Sequence, residues 1–209
     1  MAATADENTG SKRQPRGGAV RHAFKALVFG IAALVVSPLI LISWIESLLS
    51  KGEGVFLTCA QLLASLPGPP GAKLRGAFYW ASLEHCSWET HIGFGSVFTH
   101  RGATLAPNVS MGAYCVLGHA NLGAGVMMGS RISIPSGKRQ HFGDDGSIVA
   151  QTRYDTVKIG AGCWIGEGAI ILADVGQGCI VSAGAVVVKA MPDASLVGGN
   201  PAQVLRSLA

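Results

Sequence analysis

From residue 92 onward, aliphatic residues recur every six positions, and a glycine commonly follows at once. The pairs are Ile92-Gly93, Met111-Gly112, Leu117-Gly118, Leu122-Gly123, Met128-Gly129, Ile159-Gly160, Ile165-Gly166 and Val175-Gly176. Leu105, Ile134, Ile171, Val181 and Val187 continue the rows without the glycine. A period of six fits neither a 3.6-residue helix nor a simple alternating strand over this length. It predicts an all-β coil, a parallel β-helix of hexapeptide repeats, in which each hexad gives one short strand and one corner. The glycines are expected to supply the backbone conformation of the corners. The fourth residue after each aliphatic is small or apolar: Val109, Cys115, Val126, Cys163, Ala169, Cys179 and Ala185. These positions are predicted to point inward, which makes three of the five cysteines small core residues. Steps of five from Leu117 to Leu122 and of four from Ile171 to Val175 read as corner adjustments.

The pattern ahead of the coil is different. Ala26 to Ile45 carries no charge and is nearly all aliphatic, long enough to cross a bilayer, which takes about 20 apolar residues. It exceeds a signal-peptide core, and no small-x-small cleavage site follows. Lys12, Arg13, Arg16, Arg21 and Lys25 precede it, and Glu46, Lys51 and Glu53 follow. A simple span with that charge bias would export the coil. Ser37-Pro38 is expected to break the helix and return it to the same face, because proline removes a helical hydrogen bond. The stretch around Ser37-Pro38 resembles the re-entrant helix of bacterial phosphoglycosyl transferases. Val55 to Leu66 is too short to span and is closed by Pro67-Gly68-Pro69-Pro70. Residues 71–90 mix basic and aromatic side chains (Lys73, Arg75, Phe78, Tyr79, Trp80, Trp88). They read either as an amphipathic helix near headgroups or as a cap on the open end of the coil. The chain thus divides into a basic tail (1–21), a membrane helix (22–50), interfacial helices (51–90), the coil (91–190) with a loop at 135–156, and a C-terminal cap (191–209).

Composition narrows the partners. Charged residues are 13%, hydrophobic residues 49%, and there are 29 glycines, which disfavours disorder. The net charge of +4 is concentrated in the tail before the apolar run. That arrangement suits a membrane surface, and the aromatic-basic interleaving of RNA platforms is absent, so no nucleic-acid partner is expected. The odd cysteine count, without a Cys-x-x-Cys pair, predicts no disulfide framework and a reducing compartment.

The hexads, together with Gly199-Asn200-Pro201-Ala202, resemble the left-handed β-helix acyltransferase superfamily. The likeness covers residues 92–206, and the membrane-associated polysaccharide O-acetyltransferases are the nearest type. The resemblance implies a left-handed coil, a homotrimer with sites between subunits, and coenzyme A in the groove between neighbouring coils. It places Ala183, Gly184, Lys189 and Arg206 on that donor, with Trp164 flanking the reacting centre. It also implies direct transfer of an acyl group, acetyl by default, from acetyl-CoA to a hydroxyl of a lipid-linked or polysaccharide sugar. The enzyme would then sit at the inner (cytoplasmic) membrane with its catalytic domain facing the cytoplasm.

Acyl transfer to an alcohol needs a base of near-neutral pKa. The repeat breaks between Ile134 and Val157, an excursion of 22 residues, and long loops in compact domains are functional or disordered. His141 in this loop is the expected base, since similar enzymes place a His soon after a Ser/Thr-Gly step, here Ser136-Gly137. Asp144 or Asp145 would orient the imidazole. Arg139 and His100 are expected substrate contacts, and His119 reads as a turn residue. An antibiotic-modifying acetyltransferase and a non-catalytic trimeric scaffold are the alternatives. A γ-type carbonic anhydrase needs three zinc-binding histidines. His100, His119 and His141 do not reproduce that spacing, so no metal is expected.

Overall fold

The computed structural model describes residues 18–50, 52–137, 141, 147–148 and 154–209. Three helices lead into the coil: α1 (Gly18–Leu49), α2 (Gly54–Ala64) and α3 (Gly68–Ser82). Strands β1–β16, numbered along the chain, are mostly two or three residues long and stack on three faces. The first face holds β1 (His85–Cys86), β4 (Thr104–Leu105), β7 (Ala120–Leu122) and β10 (Val157–Ile159). The second holds β2 (His91–Ile92), β5 (Ser110–Met111), β8 (Met127–Met128), β11 (Trp164–Ile165), β13 (Ile180–Val181) and β15 (Ser195–Gly199). The third holds β3 (Val97–Phe98), β6 (Val116–Leu117), β9 (Ser133–Ile134), β12 (Ile170–Ile171) and β14 (Val186–Val187). All these pairs are parallel. β16 (Ala202–Ser207) folds back antiparallel on β15 and closes the stack. The result is a parallel β-solenoid of about six turns, beginning at His85 rather than at residue 91.

Each face contributes one buried row. Cys86, Leu105, Leu122 and Ile159 line the first; Ile92, Met111, Met128, Ile165, Val181 and Val197 the second; Phe98, Leu117, Ile134, Ile171 and Val187 the third. The small residues that follow the corners are buried with them, Val109, Cys115, Cys163, Ala169, Cys179 and Ala185 included. The glycines after the aliphatics have another reason than the one expected. Those residues do not adopt a positive φ; the positive-φ corners fall elsewhere, at Gly95, Gly125, Gly162, Gly168, Gly178 and Gly184. A Cβ on Gly112 would instead lie 2.6 Å from the Gly129 backbone of the next turn. Close stacking of turns is what excludes a side chain there.

The expected break in the first helix is corrected. α1 runs as one helix of 32 residues with Pro38 inside it. Proline cannot bond the carbonyl four residues back, that of Leu34. The neighbouring hydroxyl does so in its place, Ser37 Oγ donating to Leu34 O at 2.8 Å, and the helix continues. Glu46 near its end caps α2, accepting from Val55 N–H at 2.7 Å and Phe56 N–H at 2.9 Å. α3 begins with prolines in its first turn, where a missing N–H costs nothing. It covers the open end of the solenoid: Phe56, Phe78, Tyr79 and Phe98 form a buried aromatic cluster. Buried Arg75 donates to the carbonyls of Ile92, Leu63 and Leu66. Of the two readings of residues 71–90, the cap describes this helix, with Trp80 left half exposed.

Candidate functional site

The irregular steps of the repeat all fall at one corner, where the third face turns into the first. His100-Arg101 follows β3 there, Gly118-His119 follows β6, the Ser136 excursion follows β9, and Ala173-Asp174 follows β12. One vertex of the prism therefore carries two histidines on successive turns. Their rings lie 5.1 Å apart, and Tyr154, on the returning limb of the excursion, lies 4.3 Å from His100 and stacks on His119 at 5.4 Å with an interplanar angle of 3°. The two limbs of the excursion meet at this vertex. His119 N–H donates to Ser136 Oγ at 2.8 Å, Asp155 N–H to Ser136 O at 3.0 Å, and Val157 N–H to His119 O at 3.0 Å.

A carboxylate from outside the coil completes the cluster. Glu53, immediately before α2, places Oε2 2.6 Å from His100 Nδ1, and its Oε1 accepts the Arg101 N–H at 2.9 Å. The Arg101 guanidinium reaches the other way. It donates to Ser43 Oγ and Ser43 O, each at 2.8 Å, and to Glu46 Oε2 at 2.9 Å, and it lies over the Phe56 ring at 4.6 Å. The first turn of the solenoid is thus tied to the end of α1 and the start of α2. A neutral imidazole that gives its Nδ1 proton to a fixed carboxylate leaves Nε2 bare as an acceptor. Burial, and then the neighbouring His100, lower the pKa of His119 below the ordinary imidazole value, against opposing pulls from Glu53 and Glu84. A neutral ring is favoured there.

The sequence-predicted residues divide. His100 and His119 stand together at this vertex, and His119 is more than a turn residue, because its ring packs against both His100 and Tyr154. His141 is an exposed turn residue on the excursion. Arg139, Asp144 and Asp145 lie outside the described residues. Glu53, in the sequence only a charge flanking the apolar run, meets His100 across 47 positions, a contact no local spacing signals. The expected donor residues occupy other parts of the prism. Trp164, Ile180, Leu196 and Arg206 are successive partners across the second face, so Trp164 and Arg206 share one row; both are exposed. Ala183 and Gly184 form the corner after β13, where a Cβ on Gly184 would meet nothing within 4 Å. Lys189 follows β14 at the histidine vertex, further along the stack. In a three-sided prism that vertex is opposite the second face, so one chain does not bring the histidines to Trp164. Among the described residues, no group of three or more His, Cys, Asp or Glu side chains is arranged to hold a metal ion.

No family model matches the sequence, and no curated protein does. Solved structures do match. A maltose O-acetyltransferase from Clostridium difficile 630 superposes with a TM-score of 0.53 at 20% identity, over 74% of this chain and 85% of that one. A hexapeptide-repeat acetyltransferase from Vibrio cholerae, in complex with acetyl coenzyme A, gives 0.48 at 18% identity over 94% of both chains. An N-acyltransferase variant from Bacillus cereus, in complex with dTDP and coenzyme A, gives 0.48 at 16% identity over 57% of this chain and 71% of that one.

Proposed function

We propose that this chain, whose fold is that of the hexapeptide-repeat acetyltransferases, is an acyl-CoA-dependent acyltransferase that esterifies a sugar hydroxyl. The observation that carries the reading is the 2.6 Å contact of Glu53 with His100 Nδ1 at the vertex from which the long excursion departs and to which it returns. In this reading Glu53 holds the ring in the Nδ1–H tautomer, and Nε2 takes the proton of the acceptor hydroxyl as its oxygen attacks the thioester carbonyl. Backbone N–H groups steady the developing oxyanion. The carbon–sulfur bond then breaks, the acyl group stays on the acceptor oxygen, and the imidazolium returns its proton to the departing thiolate. His119, kept neutral, and Tyr154 form the wall against which the sugar ring lies. A second reading makes His141 the base, favoured by its exposure and by its position on the excursion.

Acetyl-CoA is the proposed donor, in keeping with the coenzyme-bound structures of similar fold. Arg206 suits the phosphates as a cation, and the open corner at Gly184 lets a pantetheine arm approach the backbone. Because vertex and donor row face apart, we assign the complete site to two neighbouring copies in a homotrimer. Exposed Met127 and Trp164 on the second face, and Val116 and Ile170 on the third, give those faces apolar outer rows, which supports the assembly. The first face is outwardly polar, with His85, Thr104, Asn121 and Lys158. The acceptor is proposed to be a lipid-linked or growing glycan, since α1 turns an apolar face outward close to the site.

The test is to measure acetyl-CoA binding by the full chain and thiol release on adding candidate acceptors. Binding with release dependent on a glycan hydroxyl supports the proposal. Release with an amino sugar alone reassigns the chain to N-acylation, release with antibiotics alone to xenobiotic modification, and no binding at all to a scaffold.

A further inference from the structure

Two opposite stripes run along α1. Ala32, Val36, Ile40 and Ser43 are buried against the rest of the protein. Leu27, Leu34, Leu41 and Leu48, seven residues apart, are 57–84% exposed, and Phe24, Ile31, Val35, Ile42 and Ile45 widen that outer face. Its helix carries cations only near its start, Arg21 and Lys25, and Lys73 of α3 is exposed beside it. Apolar grooves of about 500 and 540 Å³ flank α1, one closed by Pro69, Pro70 and Leu74, the other by Trp44, Trp80 and Ala81.

Both ends of α1 are fixed to the start of the solenoid. Near one end, His22 meets Trp88 at 5.1 Å and Phe29 meets Trp88 at 5.9 Å. Phe29 also meets Trp80 of α3 at 5.6 Å. At the other end Arg101 holds Ser43 and Glu46, and Trp44 Nε1 donates to Ala81 O at 2.8 Å. At about 1.5 Å per residue the helix is about 48 Å long, well over the roughly 30 Å of a hydrocarbon core. A helix standing across a bilayer would have to drag Trp88, Arg101 and the whole capped end of the solenoid into lipid, or surrender these contacts.

We infer that α1 lies flat in one leaflet of an anionic membrane, its leucine stripe immersed and its other face riveted to the solenoid, and that it does not cross. The partner is a lipid surface rather than a protein: the outer face is continuously apolar along the whole helix, its cations sit at one end where headgroups would meet them, and exposed Trp44 and Trp80 flank it at the depth where indoles partition. The conflict between basic flank and exported coil then disappears, because the chain enters and leaves the leaflet on the same side. This inference stands apart from the acyl-transfer reading and is tested without any activity.

The five native cysteines are buried, so single cysteines can carry an environment-sensitive probe. Leu27→Cys, Leu34→Cys, Leu41→Cys and Leu48→Cys in the full chain are labelled and mixed with vesicles of phosphatidylcholine and phosphatidylglycerol, and depth is read with lipid-borne quenchers. The expected result is a similar, shallow depth at all four positions. In intact expressing cells, Ala2→Cys and Gln203→Cys are expected to resist an impermeant maleimide together and to react together after permeabilisation. Replacing Arg21 and Lys25 by Gln should weaken vesicle binding about 30-fold, from about 1 kcal/mol per cation. A depth gradient with residue 34 at the midplane, or labelling of one terminus from outside, overturns the inference. So does lipid-free self-association through α1 without vesicle binding, which would make the occupant a second copy.

Discussion

Glu53→Gln changes one atom of the site and separates a catalytic carboxylate from a structural one. The carboxylate accepts two bonds, from His100 Nδ1 at 2.6 Å and from Arg101 N–H at 2.9 Å. A glutamine has one acceptor oxygen and one NH₂ donor. If the oxygen stays on the Arg101 N–H, the NH₂ faces Nδ1, and the ring proton must move to Nε2, the atom required to be bare. If the amide flips, two N–H groups abut at Arg101. The first outcome keeps both hydrogen bonds and loses only their charge assistance; the second costs about one hydrogen bond, 1–3 kcal/mol when buried. His100 and Glu53 side chains are 20% and 29% exposed, so the stability loss should be only about 1 kcal/mol. The wrong tautomer, in contrast, withdraws the base itself, and turnover should fall about 100-fold. The assay is thiol release at saturating donor and acceptor, with unfolding followed in parallel by circular dichroism. Nitrogen chemical shifts of the ring should report the tautomer change. A Glu53→Gln protein turning over within twofold of the parent would refute the reasoning, leaving Glu53 a tether for α2.

The glycine rows predict a contrast. Gly112→Ala drives a Cβ to 2.6 Å from the next turn, against the 3.4 Å of ordinary contact, and should cost about 3 kcal/mol; Gly125→Ala, with φ +69° but open space around it, should cost about 1–2 kcal/mol. Thermal unfolding of the two variants checks the order. For His119, the lowered pKa means the unfolded chain binds its proton more readily. Stability should therefore rise with pH between the depressed folded value and about 6.5, with no further contribution above that, and His119→Gln should flatten this slope in pH-dependent denaturant melts. Arg206→Ala should raise the KM for acetyl-CoA about tenfold with kcat nearly unchanged, and should leave the KM for an acyl-pantetheine donor, which lacks the nucleotide phosphates, as it was.

The parts of this protein that were legible in the sequence are those with a local cause. A buried aliphatic every sixth residue is repeated often enough to define three inner rows, and the excursion after Ile134 is visible as their interruption. The inward Cys115, Cys163 and Cys179 follow from the same count. What escaped was set by distance or by one atom. Glu53 and His100 meet through the docking of α2 on the first turn, which no spacing encodes. Proline at 38 suggested a broken helix, and the single hydroxyl of Ser37 on Leu34 O kept it whole. The glycines were recognised, but their reason lies in the approach of a neighbouring turn rather than in their own φ. His119 looked like a corner residue because its partners, His100 and Tyr154, come from another turn and from the far limb of the excursion.

Single-turnover thiol release by His100→Asn and His141→Asn, side by side with the parent at saturating acetyl-CoA and glycan acceptor, addresses the core of the account. A carboxylate-held imidazole at the vertex predicts a loss of about 100-fold or more for His100→Asn and a change of only a fewfold for His141→Asn, with donor affinity intact in both. Near-parental turnover by His100→Asn, with the collapse falling on His141→Asn, would contradict it.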